Sequence, residues 1–519
     1  MTRDAHGVHD APDVHAALAY VERHKEQFLD ELKELLRIPS ISTLPKHKKD
    51  VRRAAKFVAD QLEAIGMRKV KVIKTEGHPL VYAEWLEAMD KPTVLIYGHY
   101  DVQPVDPLEL WISDPFEPQI RGENLYARGA VDDKGQMFGL LKTLEALMKT
   151  YDGLPVNVRV LIEGEEEAGG EAIEAYVRAH PDRLTCDVAL VADTGMPAPG
   201  VPALVYGLRG ILYTEIVAQG ATHDLHSGSF GGVAPNPIHA LALVLAGLKG
   251  ADGRITIPEL YKRLNPIGAD ERALWDRNPL DIPALLKKEM GIDVLPGEQA
   301  YDPRERLTAR PTLEVHGIAG GFVGDGAKTV IPAQAVAKVS LRLPPELHPD
   351  EVLPLLQARV AALCPPGVTM SVRLVHQGEG MLAPIDNIYM RAAEQALEQE
   401  WGRAPVFERE GGSIPIGALF GSILHAPVVF MGTGLPDDNI HAPNEKFHIP
   451  NFYHGIRQAI RFLDIIGADP AVLARPTVMS ASAAHAGANG NGARKSRGAT
   501  KATTTTTTTR KRQESGVNS

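Results

Sequence analysis

Five short segments of the 519-residue chain place histidine and carboxylate side chains where apolar runs end or helices begin. Such groups can ligate a divalent metal or move a proton. TVLIYGHYDV ends in His99 and Asp101, and RGAVDDKGQ carries Asp132 and Asp133. VNVRVLIEGEEEAGG runs into Glu165, Glu166 and Glu167, VADTG ends in Asp193, and NIHAPNEKF carries His441 after VVFMG. Alternate residues of an extended segment point to one side. Asp101 can therefore reach one ring nitrogen of His99 and leave the other free for a metal. Three adjacent glutamates repel one another, and a buried cleft tolerates them only with cations present. Each signal alone has a plainer explanation: a strand-end histidine is more often structural, and Asp132 or Asp133 reads as a helix N-cap. Taken together, separate strand ends and loops that deliver His, Asp, Glu, Asp and His make the stronger case.

The elements that must hold these side chains follow two periods. Val51, Ala54, Ala55, Val58, Ala59, Leu62 and Ile65 repeat every 3.6 residues, and Gly66 supplies the stop. TVLIYG (93–98), VNVRVLIE (156–163) and DVALVAD (187–193) read as strands buried on both faces, alternating with helices near 134–149 and 170–179. That pattern predicts an α/β fold with a mostly parallel sheet flanked by helices, whose ligands collect outside the carboxyl ends of the strands. From about Leu204 the texture changes. Strands over 203–218 and 329–343, with helices near 236–249 and 348–363, predict a smaller α+β unit. The chain then returns to helix (386–400), strand (427–431) and helix (451–466). The economical organisation is a first domain split between 1–206 and 384–475, with a second domain inserted at 207–383. Residues 251–310, rich in proline and charge, are expected to elaborate the insert.

Composition narrows the class. Cys186 and Cys364 are too few for a disulfide framework or a cysteine-built zinc site, so any metal must be held by His, Asp and Glu. No apolar run of about eighteen residues occurs, which argues against a membrane span. The first thirty residues hold no uninterrupted apolar core for a signal peptide, and a cytoplasmic location is expected. The net charge of −10 argues against nucleic acid as the main partner. That charge is uneven. From Pro476 to Ser519 there is no Leu, Ile, Phe, Trp or Tyr, and seven basic residues stand against Glu514, a net +6 that leaves −16 on the rest. The segment 476–519, with its run Thr503 to Thr509, is expected to be a disordered basic tail.

The order and wording of GHYDVQPV, LYARGAVDDKGQ, EGEEEAGG, VADTG, DLHSGSFGG, GAKTVIPAQ with SLRLPP, EGGSIP and HAPNEKF resemble the di-metal peptidases of the M20 family. The match is closest to the dipeptidase branch, which includes cytosolic non-specific dipeptidases and carnosinases. The resemblance implies a split catalytic domain of the di-zinc peptidase type and an inserted lid and dimerisation domain. It implies two divalent ions per subunit, zinc foremost, with manganese or cobalt also fitting nitrogen and oxygen ligands. His99 and Asp193 would hold one ion, Glu167 and His441 the other, and Asp132 would bridge them. Asp101 would orient His99, and Glu166 would be the general base for a bridging hydroxide that attacks the scissile amide. In the insert, His226 would reach the partner subunit's site in a homodimer, and Arg342 would clamp the substrate's free C-terminal carboxylate. Thr329 and Ser413 match positions near the bound substrate. One departure stands out: Ala168, Gly169 and Gly170 follow Glu167 where the family usually has an apolar residue, Gly and Ser.

The function implied is hydrolysis of dipeptides or short peptides with a free carboxylate. The nearest alternative is a deacylase or desuccinylase of N-acyl amino acids from the same clan. A catalytically silent binding protein is the alternative from another class, and retention of all five ligand positions plus Glu166 argues against it.

Overall fold

The computed structural model describes residues 13–468. The basic tail expected at 476–519 lies outside them. Within these residues a nine-stranded mixed sheet forms the larger layer. Its centre is parallel: Asn157–Glu163, Thr93–His99, Val188–Val191 and Val428–Phe430 lie side by side with their carboxyl ends at one rim. These runs are short, apolar and almost entirely buried, as strands covered by helices on both faces must be. Both flanks add antiparallel pairing. Arg68–Ile73 and Leu80–Trp85 extend one side. On the other, Ala203–Leu208 pairs with Met381–Leu382 and, in parallel, with Val406–Glu410. The sheet is thus parallel where the site forms and mixed elsewhere.

Helix Lys134–Thr150 is buried over its first fourteen residues and packs against Thr93–His99 and helix Ile449–Gly467. Helix Lys48–Ile65 buries the same seven apolar residues that the 3.6-residue period picks out. Gly66, at φ 101°, ends it in the left-handed region that glycine enters at least cost.

A four-stranded antiparallel sheet, in the order Thr312–Gly320, Gln334–Leu343, Gly210–Gln219 and Thr369–Gly378, forms the inserted α+β unit. Gly210–Gln219 alternates buried and half-buried residues over its first seven positions. Leu212 and Ile216 on its inner face meet Val244 and Leu248 of helix Pro237–Leu248, and Leu356 and Val360 of helix Pro349–Leu363, in a core separate from that of the large sheet. Residues 251–310 fold into four short helices, Pro258–Lys262, Ala269–Trp275, Ile282–Met290 and Pro303–Thr308. They reach the large sheet as well as the insert. Glu271 accepts from Arg409 Nε at 2.6 Å and Nη2 at 2.9 Å, and Asn278 donates to Glu408 at 2.6 Å.

Candidate active site

The parallel register brings three of the predicted residues to one rim. His99 pairs with Glu163 across adjacent strands, so the Glu165–Glu167 turn begins just beyond His99, and Asp193 follows the neighbouring strand. Asp132 comes from the loop that opens helix Lys134–Thr150, and His441 from the loop after Val428–Phe430. Two groups of metal-ligating atoms result, each within 4.8 Å: His99, Asp133 and Asp193, and Asp132, Glu167 and His441. Asp132 joins the two. Its Oδ1 lies 3.2 Å from His99 Nε2 and its Oδ2 lies 2.9 Å from His441 Nε2. His441 Nε2 is also 3.3 Å from Glu167 Oε1, and Asp193 Oδ2 is 3.7 Å from His99 Nε2.

Asp101 makes its contacts differently from the simple orienting carboxylate the spacing predicts. His99 Nδ1 meets the backbone carbonyl of Asp101 at 3.1 Å, with the carboxylate at 3.4 Å. The two carboxylate oxygens instead accept the backbone N–H groups of Glu166 (3.3 Å) and Glu167 (3.1 Å). The glutamate triplet is divided by this turn. Glu165 faces away and accepts from His78 N at 3.1 Å, whereas Glu166 and Glu167 line a cleft of about 1100 Å³. Gly169 and Gly170, with φ of 113° and 67°, complete the turn in conformations that side chains with a Cβ rarely adopt, which accounts for glycine here.

Charge at the rim is frustrated without cations. Burial raises the Glu166 carboxyl well above the usual range, and Glu167, Asp193 and Asp132 add to the shift against His99. Burial and then Asp132 push Asp193 up to about 7. Burial also raises Glu167, with Asp132 adding and His441 opposing. Asp133 is held well above its ordinary value by burial and by Asp193. Asp132 is the exception: burial favours its neutral form, yet His441 and His99 outweigh it and keep the carboxyl below the usual range. Burial disfavours charge on both histidines, but the carboxylates prevail. They raise His99 well above its usual value and push His441 up to about 11. His99 Nε2 is buried without a hydrogen-bond partner, as is Asp133 Oδ1. Buried unpartnered ring and carboxylate atoms, two imidazoles and surplus carboxylates fit a pair of hard divalent ions, which would take the place of the protons on the rings.

Of the residues expected to hold substrate, Arg342 and Ser413 line the same cleft, and Arg342 Nη1 donates to Ser413 Oγ at 2.7 Å. His226 and Thr329 are not among its lining residues. They sit together, exposed, where Thr329 O accepts the backbone N–H of Ser227 at 3.0 Å. His226 Nδ1 accepts from the N–H groups of Gly228 (3.0 Å) and Ser229 (3.3 Å), which leaves Nε2 as the ring's donor.

Three contributors were given no role in the site from the sequence: Asp133, named there only as a carboxylate with a helix N-cap reading, and Gln103 and Glu445, which lie unnamed inside quoted motifs. Asp133 joins the first ligand group; its side chain makes no N-cap bond. Gln103, in GHYDVQPV, donates to Glu167 Oε2 at 2.7 Å. Glu445, in HAPNEKF, accepts the backbone N–H groups of Gly129 (2.9 Å), Val131 (3.1 Å) and Asp132 (3.2 Å), together with Arg128 Nη1 at 2.8 Å. The Asp132 loop is therefore fastened from below by a residue more than three hundred positions away.

The sequence profile of Peptidase family M20/M25/M40 matches residues 95–464. The chain is 32% identical over 456 residues to the Cys-Gly metallodipeptidase dug1 of Schizosaccharomyces pombe, covering 84% of this chain and 95% of that protein. It is 30% identical over 459 residues to the Beta-Ala-His dipeptidase of Homo sapiens, covering 84% and 90%. Among solved structures, that of the di-peptidase Dug1p from Saccharomyces cerevisiae superposes with a TM-score of 0.80 at 28% identity, covering 88% of this chain and 99% of that one.

Proposed function

The chain belongs to peptidase family M20/M25/M40 and is a metallopeptidase, and from that premise we propose that it hydrolyses dipeptides or short peptides with a free C-terminal carboxylate. We infer two divalent ions, zinc foremost with manganese or cobalt as alternatives. His99 and Asp193 would hold one, Glu167 and His441 the other, with Asp132 shared between them. Bound there, the ions would lower the pKa of a shared water and polarise the scissile carbonyl. The observation that carries this reading is the placement of Asp132, with one carboxylate oxygen toward each histidine.

Glu166 is the proton carrier. It lines the cleft beside Glu167, and its backbone is held by Asp101. As the carboxylate it takes a proton from the attacking water, and as the acid so formed it returns that proton to the leaving amine. Arg342 and Ser413 hold the substrate carboxylate at the far wall. They sit on the insert and on the large sheet's side respectively, so closing the cleft aligns the peptide with the ligand rim.

We also infer a homodimer formed through the insert. Strand Thr312–Gly320 pairs on one side only among the described residues, with residues 314–319 exposed. In such a dimer the exposed His226, with Thr329 beside it, serves the partner's cleft. A cytoplasmic location fits a chain in which, among the described residues, no helix is long and apolar enough to cross a membrane. A panel of free dipeptides and N-acyl amino acids tests the substrate assignment. Turnover of dipeptides supports it; turnover confined to N-acyl amino acids would transfer the chain to the deacylase reading.

A further inference from the structure

Among the described residues, arginines with buried side chains pair with an acid, with one exception. Arg128 pairs with Glu445, Arg310 with Glu298 and Arg409 with Glu271. Arg209, only 6% exposed, makes no ion pair among the described residues. It sits at the junction between strands Ala203–Leu208 and Gly210–Gln219, where the chain first enters the insert. Its hydrogen bonds all go to neutral oxygens. Nε donates to Gly411 O at 3.0 Å, and Nη1 donates to Arg310 O and Thr312 Oγ1 at 3.3 Å each. Its backbone N–H reaches Gly412 O at 3.1 Å.

A buried cation without a counter-charge is costly, and carbonyl groups compensate only part of the lost hydration. The surroundings add to that cost. Burial, and then the positive charge of Arg342, push the Arg209 guanidinium down to about 9, opposed by the charge of Glu314. Among the described residues, the Arg342 side chain has only the neutral Ser413 hydroxyl as its hydrogen-bond partner. Sheet register explains the proximity: Ile211, two residues beyond Arg209, pairs with Arg342, which pairs with Thr312.

The two arginines grip one segment from both sides. Arg209 holds Gly411 and Gly412, and Arg342 holds Ser413. A Cβ on Gly411 would stand 2.9 Å from Arg209 Nη2 and from Leu307 O, so the guanidinium lies directly on this backbone. Arg342 and Ser413 open to the cleft; Arg209 stands behind them.

Resting on the dipeptidase reading above, we propose that Arg209 is the positioning residue of the carboxylate clamp. It fixes the Gly411–Ser413 segment against Arg342 and supplies a second positive charge, and the free carboxylate of the peptide substrate is the anion that this pair attracts.

The test compares a neutral dipeptide with its C-terminal amide on the full-length, metal-loaded protein, using wild type, Arg209→Gln and Arg209→Lys. Charged hydrogen bonds and their field set the scale, so Arg209→Gln should raise KM for the free acid about 10-fold or more while KM for the amide moves by less than about 3-fold. Arg209→Lys keeps the charge but not the fork of donors, so its acid-over-amide preference should fall between the other two. If acid and amide weaken in parallel, or the preference is unchanged in both variants, the proposal is wrong. Where Arg209→Gln does not fold, judged by its melting curve, the Arg209→Lys preference decides alone, and an unchanged value overturns the proposal. Wild-type turnover separates this from the premise. If wild type cleaves neither substrate, the dipeptidase reading fails. Calorimetric affinities of the same acid and amide, wild type against variants, then decide the role of Arg209 by the same ratio.

Discussion

Asp101 Oδ2 accepts the backbone N–H of Glu167 at 3.1 Å, so the position of one expected metal ligand is set from the end of a different strand. The neighbouring oxygen takes the N–H of Glu166, and the Asp101 carbonyl faces His99. One buried residue thus ties together the residue assigned to proton transfer and a ligand from each metal group. A charged acceptor for two backbone donors also holds the turn rigid where three glutamates would otherwise push it apart.

If Glu166 carries the proton, Glu166→Gln removes that step while leaving its backbone bond to Asp101 in place. We expect kcat to fall about 10²- to 10⁴-fold, with bound metal per chain unchanged. Steady-state kinetics paired with metal analysis on the same preparation reads both. A variant that stays active would refute the assignment.

Glu445 holds the Asp132 loop through three backbone N–H groups and neutralises the buried Arg128. Glu445→Gln keeps the shape but loses the charge and an acceptor. Outer-shell changes of this kind weaken metal binding about 10- to 100-fold. Metal titration should show that loss, with activity largely regained at saturating metal. An unchanged affinity would mean the loop holds its position without Glu445.

Away from the site, burial pushes the Glu408 carboxyl up to about 7, only partly offset by Asn278 and Arg304. Because the folded-state value exceeds the unfolded one, the native protein binds the extra proton. Its stability contribution is full below the ordinary glutamate pKa and is lost as pH rises through about 7. Glu408→Gln should therefore raise the melting temperature at pH 8 and leave it nearly unchanged at pH 4. Equal shifts at both pH values would contradict this.

The proposed dimer depends on the unpaired side of Thr312–Gly320, where Ile318 is 59% exposed. A charge at that position opposes edge pairing. Ile318→Lys should shift the protein from dimer to monomer in sedimentation. Activity should drop with it if His226 works across the interface. A monomeric variant with full activity would detach His226 from the reaction.

Much of the ligand rim was legible in the sequence because each residue sits at the end of a recognisable run. His99 and Asp193 close apolar strands, Glu167 follows one, and Asp132 opens a helix. Parallel register then has few ways to arrange them. The helix over 48–65 was legible for the same reason, since its buried face repeats with the helical period. Other features depend on partners distant in sequence. Nothing local to Glu445 says that it caps the Asp132 loop, and nothing local to Arg209 says that it lacks an acid. Strand Arg68–Ile73 was not picked out either: RKVKVI has no buried residue, so it lacks the apolar signature that marks the central strands. The helices of 251–310 are short and begin at prolines or caps within a charged stretch, where periodicity has too few turns to show.

The most direct test is metal content measured together with dipeptide hydrolysis on the full-length protein. We expect close to two divalent ions per chain, activity abolished by a chelator, and activity restored when zinc or manganese is returned. Metal-free protein that still cleaves dipeptides would contradict the central claim.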